Sequence, residues 1–155
     1  LGPCIVIGDS LAVGVGQFRP DCQTIAQIGI NSSRYIATKL PRGGIAADTT
    51  VISLGVNDGG NIHTLDNLRT IRATVKSRTV YWLLPGPRDS IRQMIKTVAG
   101  EHDDHVIDTG LLSSPGQLHP NGRGYQTIAL ETRGEAAATA LRATEPNHTL
   151  RRSRG

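Results

Sequence analysis

Residues Val6–Gly14 read VIGDSLAVG. An apolar run ends in a Gly-Asp-Ser elbow, so a strand hands over to a helix at a serine. Serine is among the preferred helix-capping residues. At this position its hydroxyl is also exposed and its own backbone N–H is available. The stretch alone leaves two readings open for Ser10, a plain helix cap and a nucleophile. Asp9 beside it is expected to support the loop.

Short apolar runs without polar alternation recur at Cys4–Ile7, Thr24–Ile28, Thr50–Leu54, Val80–Leu84 and His105–Ile107. Such runs fit strands of a parallel sheet covered on both faces. Helical spacing lies between them. Leu65, Leu68, Ile71 and Val75 form one stripe, and Ile91, Ile95 and Val98 form another, closed by Gly100. Ser32 or Ser33 is expected to cap a short helix that ends before Pro41. A last helix is expected to start near Asn121 and run through the alanine-rich residues 136–143. Strands alternating with helices predict an α/β fold with right-handed crossovers.

At 155 residues the chain has the length of one domain. The boundaries expected are a folded domain over residues 1–144 and a basic tail over 145–155. Aromatic residues make up only 3% of the chain, which argues against a stacking platform for nucleic acid. The net charge of +4 owes much to RRSRG at the C-terminus, so no nucleic-acid partner is expected. No run approaches the roughly 18 apolar residues of a membrane helix, so no membrane insertion is expected. GDSLAVGVG has neither the G-x-G-x-x-G spacing nor the lysine of a phosphate loop. Cys4 and Cys22 flank one strand–helix–strand unit. A disulfide and two separate buried thiols both fit, and a disulfide would favour an extracellular setting.

In open parallel sheets, ligands gather beyond the carboxyl ends of the strands. The small and polar residues of this chain concentrate there. Acyl transfer needs a nucleophile, a base and donors aimed at the developing oxyanion. Ser10 would supply the nucleophile and its own N–H. Gly29 would add a second N–H, Asn57 a side-chain amide, and His119 the general base. Asp58 is expected to brace its loop. His63 and Arg88 read as surface residues near the rim. Glu101–His105 (EHDDH) reads as a solvated loop, so no metal site is expected.

Four blocks carry a resemblance: GDSL at Gly8–Leu11, the glycine of IGINSS at Gly29, GVND at Gly55–Asp58, and LHPNGRGY at Leu118–Tyr125. In this order they resemble the SGNH hydrolases, or GDSL esterases and lipases, over roughly residues 4–130. The resemblance implies a three-layer α/β/α sandwich with a five-stranded parallel sheet, a flavodoxin-like SGNH fold. It implies Ser10 as nucleophile, His119 as base, and Ser10, Gly29 and Asn57 as the oxyanion hole. The activity implied is cofactor-free and metal-free hydrolysis of esters, often acetyl groups on carbohydrates.

One position departs from that pattern. The family's D-x-x-H aspartate is Gly116 here, and that acid normally orients the histidine. In some members of the family a backbone carbonyl orients the histidine instead; Asp108 is a candidate substitute acid, although at the end of the fifth strand it reads rather as structural. The alternative to an esterase is a catalytically weakened module of a larger secreted or virion-surface assembly.

Overall fold

A computed structural model describes residues 2–86, 88–113 and 119–133. In chain order they form β1 (Gly2–Gly8), α1 (Ser10–Gln17), β2 (Gln23–Ala26), α2 (Ser32–Thr38), β3 (Ile45–Ser53), α3 (Thr64–Ala73), β4 (Val75–Lys76), β5 (Thr79–Leu84), α4 (Asp89–Glu101), β6 (His105–Asp108), a 3₁₀ turn (Thr109–Leu112) and α5 (Gly122–Glu131). Five strands run side by side in the order β2-β1-β3-β5-β6, and every pairing is parallel. The two-residue β4 joins the start of β3.

The sheet is covered on both faces because successive side chains of a strand point to opposite sides. Ile5 and Ile7 of β1, Ala47 and Ile52 of β3, and Val80, Trp82 and Leu84 of β5 face a core built with Tyr35, Leu68, Ile71, Ile91 and Ile95. Cys4 and Val6, Val51 and Leu83 face the other way, against Leu11, Ala12, Val15 and Ile128. Helices α2, α3 and α4 therefore form one outer layer, with α1 and α5 the other. The predicted α/β/α sandwich with a five-stranded parallel sheet is what the chain forms.

Several element ends differ from the sequence expectations. Helix α3 stops at Ala73, and Val75 belongs to β4, paired with Ile45. It is still buried in the same core, so burial fits either element. Helix α4 passes through Gly100 and reverses at Asp103, whose φ is 54°. There the Asp104 N–H bonds the Ala99 carbonyl and the Asp103 N–H bonds that of Gly100, a Schellman ending. Asn31, rather than Ser32 or Ser33, caps α2 by accepting from the Arg34 N–H at 2.8 Å. Strand β2 ends at Ala26, and Ile28 lies outside it, 71% exposed. Strand β3 is longer than expected, starting at Ile45. The alanine-rich 136–143 and the tail 145–155 lie outside the described residues.

The Asp104 turn also anchors the largest core side chain. Trp82 is fully buried, and its Nε1–H donates to Asp104 Oδ2 at 3.0 Å. Arg72 forks onto the same carboxylate at 2.7 and 2.9 Å, so the buried charge is paired.

Cys4 and Cys22 form a disulfide across a sequence separation of 18. It ties β1 to the segment entering β2 and encloses α1. Closing a loop of this length is worth about 3 kcal/mol through the unfolded state. Reduction is therefore expected to shift the urea midpoint of unfolding down by a corresponding amount. An unchanged midpoint would show that the bridge contributes no stability.

Candidate active site

The elbow after β1 depends on a missing side chain. Gly8 has φ 136°, and a Cβ there would lie 1.8 Å from the Ser53 carbonyl oxygen. Strands β1 and β3 thereby approach closely enough for the Asp9 N–H to bond that oxygen at 2.9 Å. The chain then turns directly into α1. Asp9, not Ser10, is the N-cap: its Oδ1 accepts from the Leu11 N–H at 3.1 Å and from Ser53 Oγ at 2.8 Å. With the capping task on the neighbouring carboxylate, Ser10 becomes the first helical residue. Its hydroxyl is left to point outward, and its N–H has no acceptor one turn back.

Asp9 is completely buried, and its Oδ2 has no partner among the described residues. Burial raises its pKa from 3.8 to about 6, against the lowering effect of bonds from Ser53 and Leu11. The folded state therefore binds this proton more tightly than the unfolded chain does. That contribution to stability is complete below the unfolded value and is lost as pH rises through about 6. Asp9→Asn removes the titration. Relative to wild type, the variant is expected to gain roughly 3 kcal/mol between acid and mildly alkaline pH. Urea unfolding of both proteins at both pH values checks this, and a pH-independent difference would refute it.

His119 meets Ser10 from the far end of the chain. Ser10 Oγ lies 2.7 Å from His119 Nε2 across 109 residues of sequence. Two local features place the histidine. Asn121 caps α5, its Oδ1 accepting from the Gly124 N–H at 2.8 Å. Gly14 lets α1 and α5 approach: a Cβ there would stand 2.3 Å from the Tyr125 ring. A serine proton delivered to Nε2 requires the resting imidazole proton on Nδ1. Nδ1 makes no hydrogen bond among the described residues, and Gly116 lies outside them. Asp108 does not reach the histidine either. Arg92 forks onto both its oxygens at 2.8 and 2.6 Å, and the Gly110 N–H bonds Oδ1.

The remaining residues lie on loops that hydrogen bonds stitch together. Gly29 sits in an exposed turn with φ 78°. Asn57 is exposed, and its Nδ2 donates to the Ile30 carbonyl at 3.1 Å, leaving its second amide proton for another acceptor. Asp58 braces both loops. It accepts from the Ser32 N–H at 2.8 Å, from the Ser32 hydroxyl, and from Thr64 Oγ1 at 2.8 Å. Asn61 Nδ2 adds a bond to Ser33 Oγ at 3.3 Å.

His63 and Arg88 are exposed at the N-terminal ends of α3 and α4. In the EHDDH stretch, Glu101 pairs with Arg69, Asp104 with Arg72, and His105 stacks on Tyr81. Among the described residues, no group of three or more His, Cys, Asp or Glu is placed to hold a metal. No helix among them is long and apolar enough to cross a membrane.

Ser53 and Arg92 are structural partners of this rim that the sequence reading missed. Ser53 had a signal, as a polar residue inside the apolar run TVISL. Arg92 had none, because its pairing with Asp108 is visible only in three dimensions.

No protein-family model matches the chain, and no curated protein sequence does. Solved structures do match. Phospholipase A1 from Streptomyces albidoflavus NA297 superposes with a TM-score of 0.60 at 14% identity, covering 84% of this chain and 99% of that one. A carbohydrate acetylesterase from Sinorhizobium meliloti gives 0.56 at 12% identity, covering 90% and 99%. A Bacillus subtilis protein gives 0.60 at 18% identity, and this chain covers 57% of its length while 90% of this chain is covered. At these identities the likeness speaks to architecture. The chain has the fold of the SGNH, or GDSL, hydrolases.

Proposed function

We propose that the chain is a serine esterase whose nucleophile is Ser10 and whose general base is His119. The observation that carries this reading is the 2.7 Å approach of Ser10 Oγ to His119 Nε2. In the proposed cycle, Oγ attacks the ester carbonyl carbon as its proton passes to Nε2. The N–H groups of Ser10 and Gly29 and the free amide proton of Asn57 receive the negative charge on the carbonyl oxygen. Collapse expels the alcohol, which takes the proton from His119. Water, deprotonated by the same nitrogen, then releases the acid and restores Ser10.

The tight β1–α1 turn at Asp9 and the short β2–α2 connection support a small acyl group, with acetyl on a carbohydrate as the first class to try. The acetylesterase among the structural neighbours supports the same class. The Cys4–Cys22 bridge supports an oxidising, extracellular setting.

A fluorophosphonate probe tests the assignment, since it captures an activated serine. Wild type is expected to label, Ser10→Ala to lose labelling entirely, and His119→Ala to lose most of it. A folded wild type that does not label would overturn the esterase and favour a binding or assembly module.

A further inference from the structure

The described residues leave three aliphatic side chains more than two-thirds exposed: Ile28 at 71%, Ile62 at 87% and Leu111 at 82%. Single exposed aliphatics are ordinary on a protein surface. These three are not scattered. Each follows the carboxyl end of a strand, β2, β3 or β6, so all lie at the end of the sheet where Ser10 sits.

The two layers of the sandwich divide them. Ile28 leads into α2 and Ile62 into α3, both packed on the face that holds Tyr35, Leu68 and Ile71. Their loops are joined by the Asn57–Ile30 and Asn61–Ser33 hydrogen bonds. Ile28 directly precedes Gly29, and Ile62 lies five residues beyond Asn57. His119 enters from the opposite layer, ahead of α5, which packs beside α1 with Ile128 and Leu11.

This division orients an ester on Ser10. The tetrahedral carbon carries four groups: Ser10 Oγ, the oxyanion, the leaving oxygen and the acyl chain. The leaving oxygen must face His119 to receive its proton, and so points toward the α1 and α5 layer. The oxyanion faces the donors of Ser10, Gly29 and Asn57. The remaining substituent is directed away from His119, over the loops of the α2 and α3 layer. Among the side chains exposed there, which include Gln27, Asn57 and His63, the two isoleucines are the aliphatic ones.

We infer that Ile28 and Ile62 form the acyl-binding rim and select esters whose acyl group is an unbranched alkyl chain longer than acetyl. The inference rests on the esterase reading and shifts its expected substrate from acetyl toward chains of about hexanoyl length, whose methylenes gain by leaving water against the isoleucines. Leu111, on the turn that packs against α5, lies on the leaving-group side and plays no part in this selection.

The test holds the leaving group constant by comparing p-nitrophenyl hexanoate with p-nitrophenyl acetate, and reads the ratio of their kcat/KM values. In Ile28→Ser/Ile62→Ser that ratio is expected to fall about tenfold. Leu111→Ser is expected to leave the ratio as in wild type. A ratio unchanged in the double variant, or lowered equally by Leu111→Ser, would overturn the rim while leaving a Ser10-dependent esterase standing. Failure of the wild type to hydrolyse either ester, with no fluorophosphonate labelling, would bring down the esterase reading and this inference with it.

Discussion

Ser10→Ala is expected to lower kcat/KM for a simple ester by about 10⁴-fold or more, and His119→Ala by a comparable factor. A serine hydroxyl is a poor nucleophile until a base removes its proton, and the 2.7 Å Ser10–His119 contact is the one route to such a base at this elbow among the described residues. Either deletion therefore removes the same step. The double variant should be no more than about tenfold worse than the single ones, because groups that act as a unit are not additive. Residual rate above the uncatalysed reaction would come from the oxyanion donors. Measuring all three variants on one chromogenic ester decides the matter. Additive losses would mean that the two residues do not share a step.

Gly8→Ala is expected to have the largest effect on folding. The new methyl would be placed 1.8 Å from the Ser53 carbonyl oxygen, well inside any allowed contact, and φ 136° is closed to side chains regardless of space. Relief requires β1 and β3 to separate at the centre of the sheet. That motion also breaks the Asp9 N–H bond to Ser53 and loosens the cap of α1. A loss of at least about 4 kcal/mol follows, enough to leave little folded protein. Gly29→Ala provides the contrast. Its φ of 78° is strained for alanine, but a Cβ there meets nothing within 4 Å. That variant should fold with a cost of roughly 1 to 2 kcal/mol. Circular dichroism and urea unfolding of the two variants side by side distinguish a steric requirement from a merely conformational one.

Most of the strands could be read from the sequence because both faces of the sheet are covered, so CIVI, TVISL and VYWLL stand out as unbroken apolar runs. Their ends were less legible. Val75 satisfies a helical stripe and a strand position equally, since both bury it in the same core. Capping was ambiguous wherever polar residues stand together. In Gly-Asp-Ser and Asn-Ser-Ser every candidate can accept a hydrogen bond. Only the backbone path shows that Asp9 and Asn31 do so. The residue types of the proposed site carry sequence signals, since Ser10, Gly29, Asn57 and His119 each follow a recognisable strand or loop signal; the structure brings Ser10 and His119 together. What supports them was not. The Ser53–Asp9 bond and the Arg92–Asp108 and Arg72–Asp104 pairs link distant segments whose proximity only the folded sheet creates.

The Cys4–Cys22 bridge has a bearing on the most vulnerable edge of the sheet. Strand β2 is four residues long, half-buried at best, and hydrogen-bonded to β1 along one side. An edge of this kind frays first, and a freed edge is a template for pairing with another chain. The covalent link sits just ahead of β2 and fastens it to the start of β1's buried run. Fraying therefore becomes a brief excursion on a short leash, with the partner strand always at hand for re-pairing. The same ring encloses the helix that begins with Ser10, so opening at the edge need not carry the elbow away from β1.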